Sequence, residues 1–574
     1  MENLRKLNKY SLFLILVILL AAFLRFYQLG NIPAGLTNDE ANTGHDAYSI
    51  LLTGKDQWGT FLPITNFKGF GDFPPPVYRY LSVLPIHFFG LNQFSVRFIS
   101  ALAGTLSVLM LYFVGKKLFN KKIAIFSSIL FAIMPWAIGL SRVAIESNVA
   151  ILFLLIAIWF GFNNSRNKIR NFTISVISLA VSAYTYSAYS LFVPLVFIVL
   201  IFENFYKTKL SYKNIILPLV IFLILILPIF SDKGSASTRF SQIGFLSNEN
   251  SIGLINILND ERGQCLKVFN SNLCRVINNK QALFLSVFVK NYLSHFSPNF
   301  LYINGTSTQY SILPQRGLDY LLSFVFLVLG MYFLLIKNKN KKLSVLFLTL
   351  FLLAVLPDSL TGDGNYSRAS IMQPFLAIIG GLGLSMIYDK FKNKKVKYAV
   401  SILISIILLF SLSSFYFIYL TYFKNNYSTF SQYGYQQLMT QVAKNKDDYQ
   451  RIYISKHLND TKQYIYYLFF NKYDPRKYQS KKNVSYNQNP DGWFSIDRIE
   501  NIYFVQNPPV VDDSLSLSKE KILIISNPVD FPKTLKPVFE IKDRLGNVLF
   551  EAINLSDLLK YNKEQQLLLL KKNV

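Results

Sequence analysis

Asp39 and Glu40 stand side by side in Thr37-Asn38-Asp39-Glu40-Ala41-Asn42-Thr43, shortly after the first apolar run of a 574-residue chain. A carboxylate held near an apolar bundle can accept a proton from a hydroxyl nucleophile. Adjacent residues point in different directions on any regular backbone, so only one of the two is expected to face a given cavity. Taken alone, the dipeptide is better explained as a solvated loop pair or a helix start, since Asp39 ahead of Ala41-Asn42-Thr43 suits a helix N-terminus.

The second set of candidates is cationic. Arg142 and Glu146 lie four residues apart in Leu140-Ser141-Arg142-Val143-Ala144-Ile145-Glu146. They either pair along a helix, or Glu146 adds a second acid to a cavity in which Arg142 faces an anion. Arg368 follows Gly364-Asn365-Tyr366-Ser367 and has the planar fork that suits a phosphate, unless Asp358 or Asp363 takes it. Lys68, Arg79, Arg239 and Arg316 are weaker candidates for the same task. The four histidines, His45, His87, His295 and His457, are scattered, and no Cys/His spacing suggests a metal site. No G-x-x-x-x-G-K-[ST] and no G-x-S-x-G occurs, which argues against nucleotide-driven pumping and a serine nucleophile elbow. These absences favour a substrate that carries its own activation.

The elements that must position these residues are apolar. The composition is 52% hydrophobic and 16% aromatic, with a net charge of +27. Nucleic acid would require the basic residues on one soluble face. They fall instead in short clusters between apolar runs, as in cytoplasmic loops. Eleven runs qualify as spans: 11–26, 94–115, 123–140, 144–162, 172–184, 190–202, 215–230, 318–336, 343–356, 371–388 and 398–422. The first follows Arg5, Lys6 and Lys9 as a signal peptide would. Arg25-Phe26-Tyr27-Gln28 replaces a small-residue cleavage site, however, so a retained span is expected.

Alternate loops carry the positive charge, from Lys116/Lys117/Lys121/Lys122 to Lys390/Lys392/Lys394/Lys395/Lys397. The intervening short loops hold only Arg142 and Arg368. The positive-inside rule then puts the N-terminus in the cytoplasm and the C-terminus outside. Three segments fall outside: residues 27–93, whose stretch 77–89 is expected along the interface, 231–317 with Cys265 and Cys274, and 424–574. The cysteines fit a disulfide or two free thiols about equally. In the last segment, 451–455, 499–505, 521–526, 537–542 and 548–553 read as strands and 461–470 as a helix. The expectation is a polytopic α-helical membrane protein, domain 1–423, with a small external C-terminal α/β domain, 424–574.

Asn38-Asp39-Glu40-Ala41, Phe73-Pro74-Pro75-Pro76-Val77-Tyr78, Ser95-Val96-Arg97-Phe98 and Leu140-Ser141-Arg142 through Glu146 together resemble the GT-C glycosyltransferases. The similar group uses lipid-phosphate sugars: protein O-mannosyltransferases, aminoarabinose transferases of lipid A and RgtA/B/C/D-like bacterial enzymes. The resemblance covers the first 200 or so residues by motif and the remaining spans by layout. It implies an inverting sugar transfer from a polyprenyl-phosphate donor to a hydroxyl acceptor, with Asp39 as general base, Glu40 and Glu146 in the catalytic set, and no required cofactor or metal. The lysine that aminoarabinose transferases place before the Pro-Pro pair is replaced by Phe73, so Lys68, Arg142 or Arg368 would hold the donor phosphate. The implied partners are a lipid-linked sugar, a glycan, glycolipid or protein acceptor, and membrane lipids of a bacterial plasma membrane. A flippase or permease for lipid-linked sugars is the competing expectation, disfavoured by spans nearly free of charge. An enzyme that ligates whole glycans from lipid-linked oligosaccharide is a third.

Overall fold

The computed structural model describes residues 9–162, 167–208, 212–231, 248–306, 316–362, 364–426, 432–455, 462–488, 493–507 and 520–572. The first helices are α1 (Lys9–Phe26), α2 (Asn38–Thr53), α3 (Val77–Phe89), α4 (Gln93–Leu118), α5 (Lys121–Ile133), α6 (Pro135–Ser141) and α7 (Glu146–Gly161). The chain divides into two compact units. The first comprises Met1–Tyr27, Phe73–Tyr78 and Ile99–Phe417, and the second Gln28–Asp72, Arg79–Phe98 and Ile418–Val574.

The first unit is helical. Each of the eleven expected apolar runs overlaps a helix. Among the described residues, Gln93–Leu118, Lys341–Ser359, Ala369–Lys390 and Lys394–Asn426 are long and apolar enough to cross a membrane. The pair α5 and α6, bent by 61°, makes a fifth if counted as one span. Others, such as Glu146–Gly161 and Ile215–Phe230, are apolar but shorter. Positions thus follow the sequence pattern, except that the run 123–140 is broken into α5 and α6, while among the described residues length and composition alone license four or five crossings rather than eleven.

The bend has a local cause. Pro135 opens α6 without an N–H to donate, and its ring drives the preceding residue out of helical geometry. Met134 accordingly sits at φ −58°, ψ 121°. Elsewhere close approach is set by missing side chains. A Cβ on Gly383 would lie 1.9 Å from the Phe326 carbonyl oxygen, and one on Gly330 would lie 1.9 Å from that of Ile379. The helices Leu321–Tyr332 and Gln373–Lys390 therefore meet backbone to backbone, as small residues permit between apolar helices. Cys265 and Cys274 are joined in a disulfide, with Cα atoms 5.8 Å apart.

The second unit is built on a mixed sheet. Its strands are β1 (Arg451–Ser455), β2 (Val484–Gln488), β3 (Phe494–Ile499), β4 (Ile502–Val505), β5 (Ile522–Ser526), β6 (Phe539–Lys542) and β7 (Val548–Asn554). Among the described residues the order is β2-β3-β4-β1-β5-β7-β6. The centre is parallel, with β1 between β4 and β5, and the flanks are antiparallel. β5, Ile-Leu-Ile-Ile-Ser, is buried throughout, as a central strand covered on both faces must be. The expected strand 499–505 is two strands, because Glu500 at φ 54° turns the chain between β3 and β4. Residues 77–89, expected to lie along an interface, form α3. The first-loop helix α2 belongs to this unit: Gly44 faces the helix Tyr464–Phe470 so closely that a Cβ would meet the Phe469 ring.

Gly383→Val should destabilise the first unit by about 2 kcal/mol or more, because the Phe326 carbonyl cannot retreat from the added side chain. Gly362→Val, placed in open space, should leave the melting temperature of the detergent-solubilised protein unchanged. Equal melting temperatures for both variants would contradict the packing described.

Candidate active site

The start of α2 is fixed from several directions. Thr37 Oγ1 accepts from the Glu40 main-chain N–H at 3.3 Å, and the Thr37 N–H donates to Glu40 Oε2 at 3.0 Å, forming a reciprocal capping box. Gly54 ends the helix in the left-handed region, at φ 67°. Arg97, fully buried on α4, then ties down the preceding loop. Its Nε donates to Glu40 Oε1 at 2.8 Å and its Nη2 to Glu40 Oε2 at 3.1 Å. The remaining donors reach the carbonyls of Leu29, Pro33 and Gly35 at 3.3, 3.0 and 2.5 Å. These five acceptors match the five N–H groups a guanidinium carries.

This arrangement separates the two carboxylates. Glu40, read from the sequence as part of the catalytic set, is buried with its oxygens committed to Arg97 and Thr37. Its neighbour Asp39 projects from the first turn and is exposed. One carboxylate fixes the frame and the other is accessible to chemistry.

Behind them lies a buried polar network. Arg79 Nε donates to Asp46 Oδ2 at 3.0 Å, both side chains being almost wholly buried. The Gln57 N–H donates to Asp46 Oδ1 at 3.2 Å, and the Gln57 side chain bonds Asn42 and lies 3.2 Å from His45 Nδ1. Burial pushes the Asp46 carboxyl up to about 7, against the pull of Arg79. Burial holds the His45 imidazole down at about 4, against its contacts with Gln57 and the Tyr473 carbonyl.

The expected phosphate ligands fall in different places. Arg142, buried at the C-terminus of α6, donates from Nη1 to the carbonyls of Leu24 and Arg25 at 3.0 and 3.1 Å. Its Nη2 reaches the Tyr27 carbonyl at 2.8 Å. It thus serves the orphan carbonyls and negative pole at the end of α1. Arg368 uses Nε on Asp358 Oδ1 at 2.9 Å. Asp358 Oδ2 lies 2.9 Å from His295 Nε2 and accepts the Asn365 N–H at 2.6 Å. Lys68 belongs to the second unit, with Nζ 4.4 Å from the centre of the Trp58 ring and 4.0 Å from that of Phe494. Glu146 begins α7 and is partly exposed. Arg239 and Asp363 lie outside the described residues. Asp39, Glu40 and Lys68 therefore share one unit, and Arg142, Glu146 and Arg368 the other.

The first unit holds a cavity of about 310 Å³, lined by residues that include Trp136, Tyr302, Arg316, Asp319, Tyr366 and Phe415. Its aromatic wall is braced: Trp136 Nε1 donates to the Tyr366 carbonyl at 2.8 Å, and Tyr320 Oη to that of Ile133 at 2.9 Å. Arg316 is exposed, and among the described residues no carboxylate pairs with it. The cavity was not legible in the sequence, because its walls come from segments separated by more than 200 residues. Arg97 carried a usable signal, a charge near the start of a long apolar helix. Among the described residues no three of His, Cys, Asp and Glu are grouped to hold a metal.

Comparison with known proteins gives these features a context. Residues 74–231 match the family model described as dolichyl-phosphate-mannose-protein mannosyltransferase. A putative mannosyltransferase, YkcB of Bacillus subtilis, is 28% identical over 166 residues, covering 28% of this chain and 22% of that protein. An undecaprenyl phosphate-alpha-4-amino-4-deoxy-L-arabinose arabinosyl transferase of Pseudomonas fluorescens is 31% identical over 154 residues, covering 26% and 27%. The likeness is to lipid-phosphate-sugar glycosyltransferases. The matched segments span less than a third of either relative, and the family match begins at Pro74, beyond Asp39. In fold, the chain is similar to the apo oligosaccharyltransferase of Archaeoglobus fulgidus, with a TM-score of 0.50 and 14% identity over 81% of this chain and 64% of that one. The described residues are mostly helical in the first unit, with several apolar helices.

Two outcomes test the site's frame. Arg97→Lys strands part of the Glu40 carboxylate and several loop carbonyls, and should lower the stability of the second unit by about 3–5 kcal/mol. Asp39→Asn should leave that unit's melting temperature unchanged, and a similar loss in both would contradict the division of labour between the carboxylates. The second outcome concerns pH. The raised Asp46 contributes stability that is lost as pH rises from 3.8 towards 7, and the depressed His45 contributes stability that is lost as pH falls from 6.5 towards 4. Their slopes oppose between pH 4 and 6.5. Asp46→Asn should therefore make the second unit lose stability more steeply on acidification through that window than wild type does, whatever its level at pH 7. Parallel pH profiles for the two proteins would refute this account.

Proposed function

We propose that this chain is an integral-membrane glycosyltransferase that moves a sugar from a polyprenyl-phosphate donor to a hydroxyl acceptor, with inversion at the anomeric carbon. The observation that carries the reading is an exposed carboxylate, Asp39, on a helix start held by a saturated guanidinium, in a chain similar to lipid-phosphate-sugar transferases. Asp39 takes the acceptor hydroxyl's proton as its oxygen forms a bond to the anomeric carbon. The bond from that carbon to the phosphate oxygen breaks, and its electron pair leaves with polyprenyl phosphate.

Within the first unit, Arg316 is the first choice to bind a lipid phosphate, because it is an exposed guanidinium at an aromatic cavity with no carboxylate partner among the described residues. Arg368, bonded to Asp358 through Nε, keeps its outer N–H groups for the same task. Glu40, Arg97 and Arg142 are assigned to positioning. In this reading the protein lies in a plasma membrane with its N-terminus in the cytoplasm and residues 424–574 outside, which the distribution of basic loops supports.

The test uses purified protein in lipid, radiolabelled polyprenyl-phosphate hexoses and cell-envelope extract as acceptor. Wild type should transfer label, Asp39→Asn should transfer about 100-fold less or worse at unchanged melting temperature, and Arg316→Ala should raise the KM for donor. Full activity in Asp39→Asn would remove that residue from the mechanism. Donor crossing liposomes without transfer, equally in wild type and Asp39→Asn, would make the protein a carrier.

A further inference from the structure

The second unit carries a cluster of groups that the transfer chemistry does not use. Lys68 lies over Trp58 and Phe494, and Lys481 lies 5.9 Å from the centre of the Tyr486 ring. The rings form one continuous patch, with Trp58 centred 5.4 Å from Phe494 and 6.2 Å from Tyr486. Tyr486 and Lys481 are exposed, and Lys68, Trp58 and Phe494 are partly so.

Three observations make this patch incomplete as it stands. Burial first, and then the nearby Lys481 ammonium, lower the pKa of Lys68, against the pull of Asp56. Asp56, whose charge acts on Lys68, is buried and already accepts the N–H groups of Trp58 and Thr60 at 2.9 and 2.8 Å. Finally, the indole Nε1–H of Trp58 is buried with no acceptor among the described residues, a donor that an arriving oxygen would satisfy. Lys68 has a long, flexible side chain that can swing to admit one.

We infer that this patch is a binding site for an anionic saccharide, one whose sugar rings carry phosphate or carboxylate groups. The negative faces of aromatic rings attract the weakly positive C–H groups on the flat side of a sugar. Two lysines with no carboxylate ion pair among the described residues supply the charge for the anionic substituent, and Trp58 Nε1 supplies a donor for a sugar or phosphate oxygen. An acidic peptide would satisfy the lysines but leave the ring faces without flat partners. The inference deepens the proposed activity by naming the acceptor's class, and rests on that reading only for calling the ligand an acceptor.

Binding is measured without donor, on full-length protein in neutral phosphatidylcholine nanodiscs, by tryptophan fluorescence and calorimetry. The probes are oligogalacturonate, a poly(hexose phosphate) oligomer, a neutral oligogalactan of equal length, and polyglutamate. Both anionic glycans should bind at least tenfold more tightly than the neutral glycan or polyglutamate. Lys68→Ala and Trp58→Ala should each weaken that binding tenfold or more. Lys481→Ala, at an exposed position that does not threaten folding, should weaken it at least threefold.

Binding of oligogalacturonate alone would identify the anion as carboxylate, binding of the hexose phosphate alone as phosphate, and both support the site. Equal binding of polyglutamate would overturn the inference in favour of a peptide surface. Equal binding of the neutral glycan, or unchanged binding in Lys68→Ala and Lys481→Ala, would also overturn it. Asp39→Asn should bind these glycans as wild type does. Glycan binding without any transfer would sink the enzymatic reading alone, and transfer without glycan binding would sink this inference alone.

Discussion

The second unit depends on one guanidinium. Residues 28–37 have no regular structure, yet most are buried. A buried loop must find partners for its carbonyls or suffer the cost of leaving them unpaired. Arg97 supplies three of those partners at once, at Leu29, Pro33 and Gly35. Its own charge in turn needs compensation, and the carboxylate of Glu40 is the only group placed to give it bidentately among the described contacts of Arg97. Loop, helix start and cation are therefore one cooperative object. Removing any member leaves the others buried and unsatisfied.

The same solution recurs in the first unit, where arginines serve main-chain carbonyls. Arg142 meets the carbonyls of Leu24, Arg25 and Tyr27, and Arg25 meets those of Ala21, Phe131 and Ala132. The end of α1 and the α5 carbonyls near the Pro135 break have orphan carbonyls in apolar surroundings, where water cannot serve them. An arginine is suited to this because its donors are fixed in a fork and its charge is stabilised by the negative pole of a helix end. A charged residue at the edge of an apolar run thus has two explanations, an external anion or an internal helix end. Sequence favours the first because only the second requires knowing which helix ends nearby.

That difference explains what was legible. The apolar runs appear as helices, because length and composition are local properties. The strands 451–455, 521–526 and 548–553 appear as β1, β5 and β7 for the same reason. The break at Met134 follows from Pro135, a one-residue signal. The capping role of Glu40 was also within reach, since Thr37 and Glu40 stand at the spacing of a capping box. Side-chain partnerships between distant segments were not. Arg97 meets Glu40 across 57 residues, Arg142 meets Leu24 across 118, and Lys68 rests on a ring more than 400 positions away. No local pattern encodes such pairs, so the sequence grouped Arg142, Arg368 and Lys68 as phosphate ligands although the fold gives each a different neighbourhood.

In the proposed mechanism Asp39 is the base, and the frame around it bears on how it would be held. A base contributes most when its position is fixed before the reaction and little reorganisation accompanies proton transfer. The main chain at Asp39 lies between Thr37 and Glu40, which bond each other, and Glu40 is clamped by Arg97. The Asp39 side chain itself is exposed. Rigidity is therefore supplied in part by the residue beside the proposed base, through Glu40 and its clamp. On this argument the Asp-Glu pair is a functional unit of two unlike parts: exchanging the two residues would preserve charge and composition while placing the longer side chain outside and leaving Arg97 a carboxylate one methylene too short to reach.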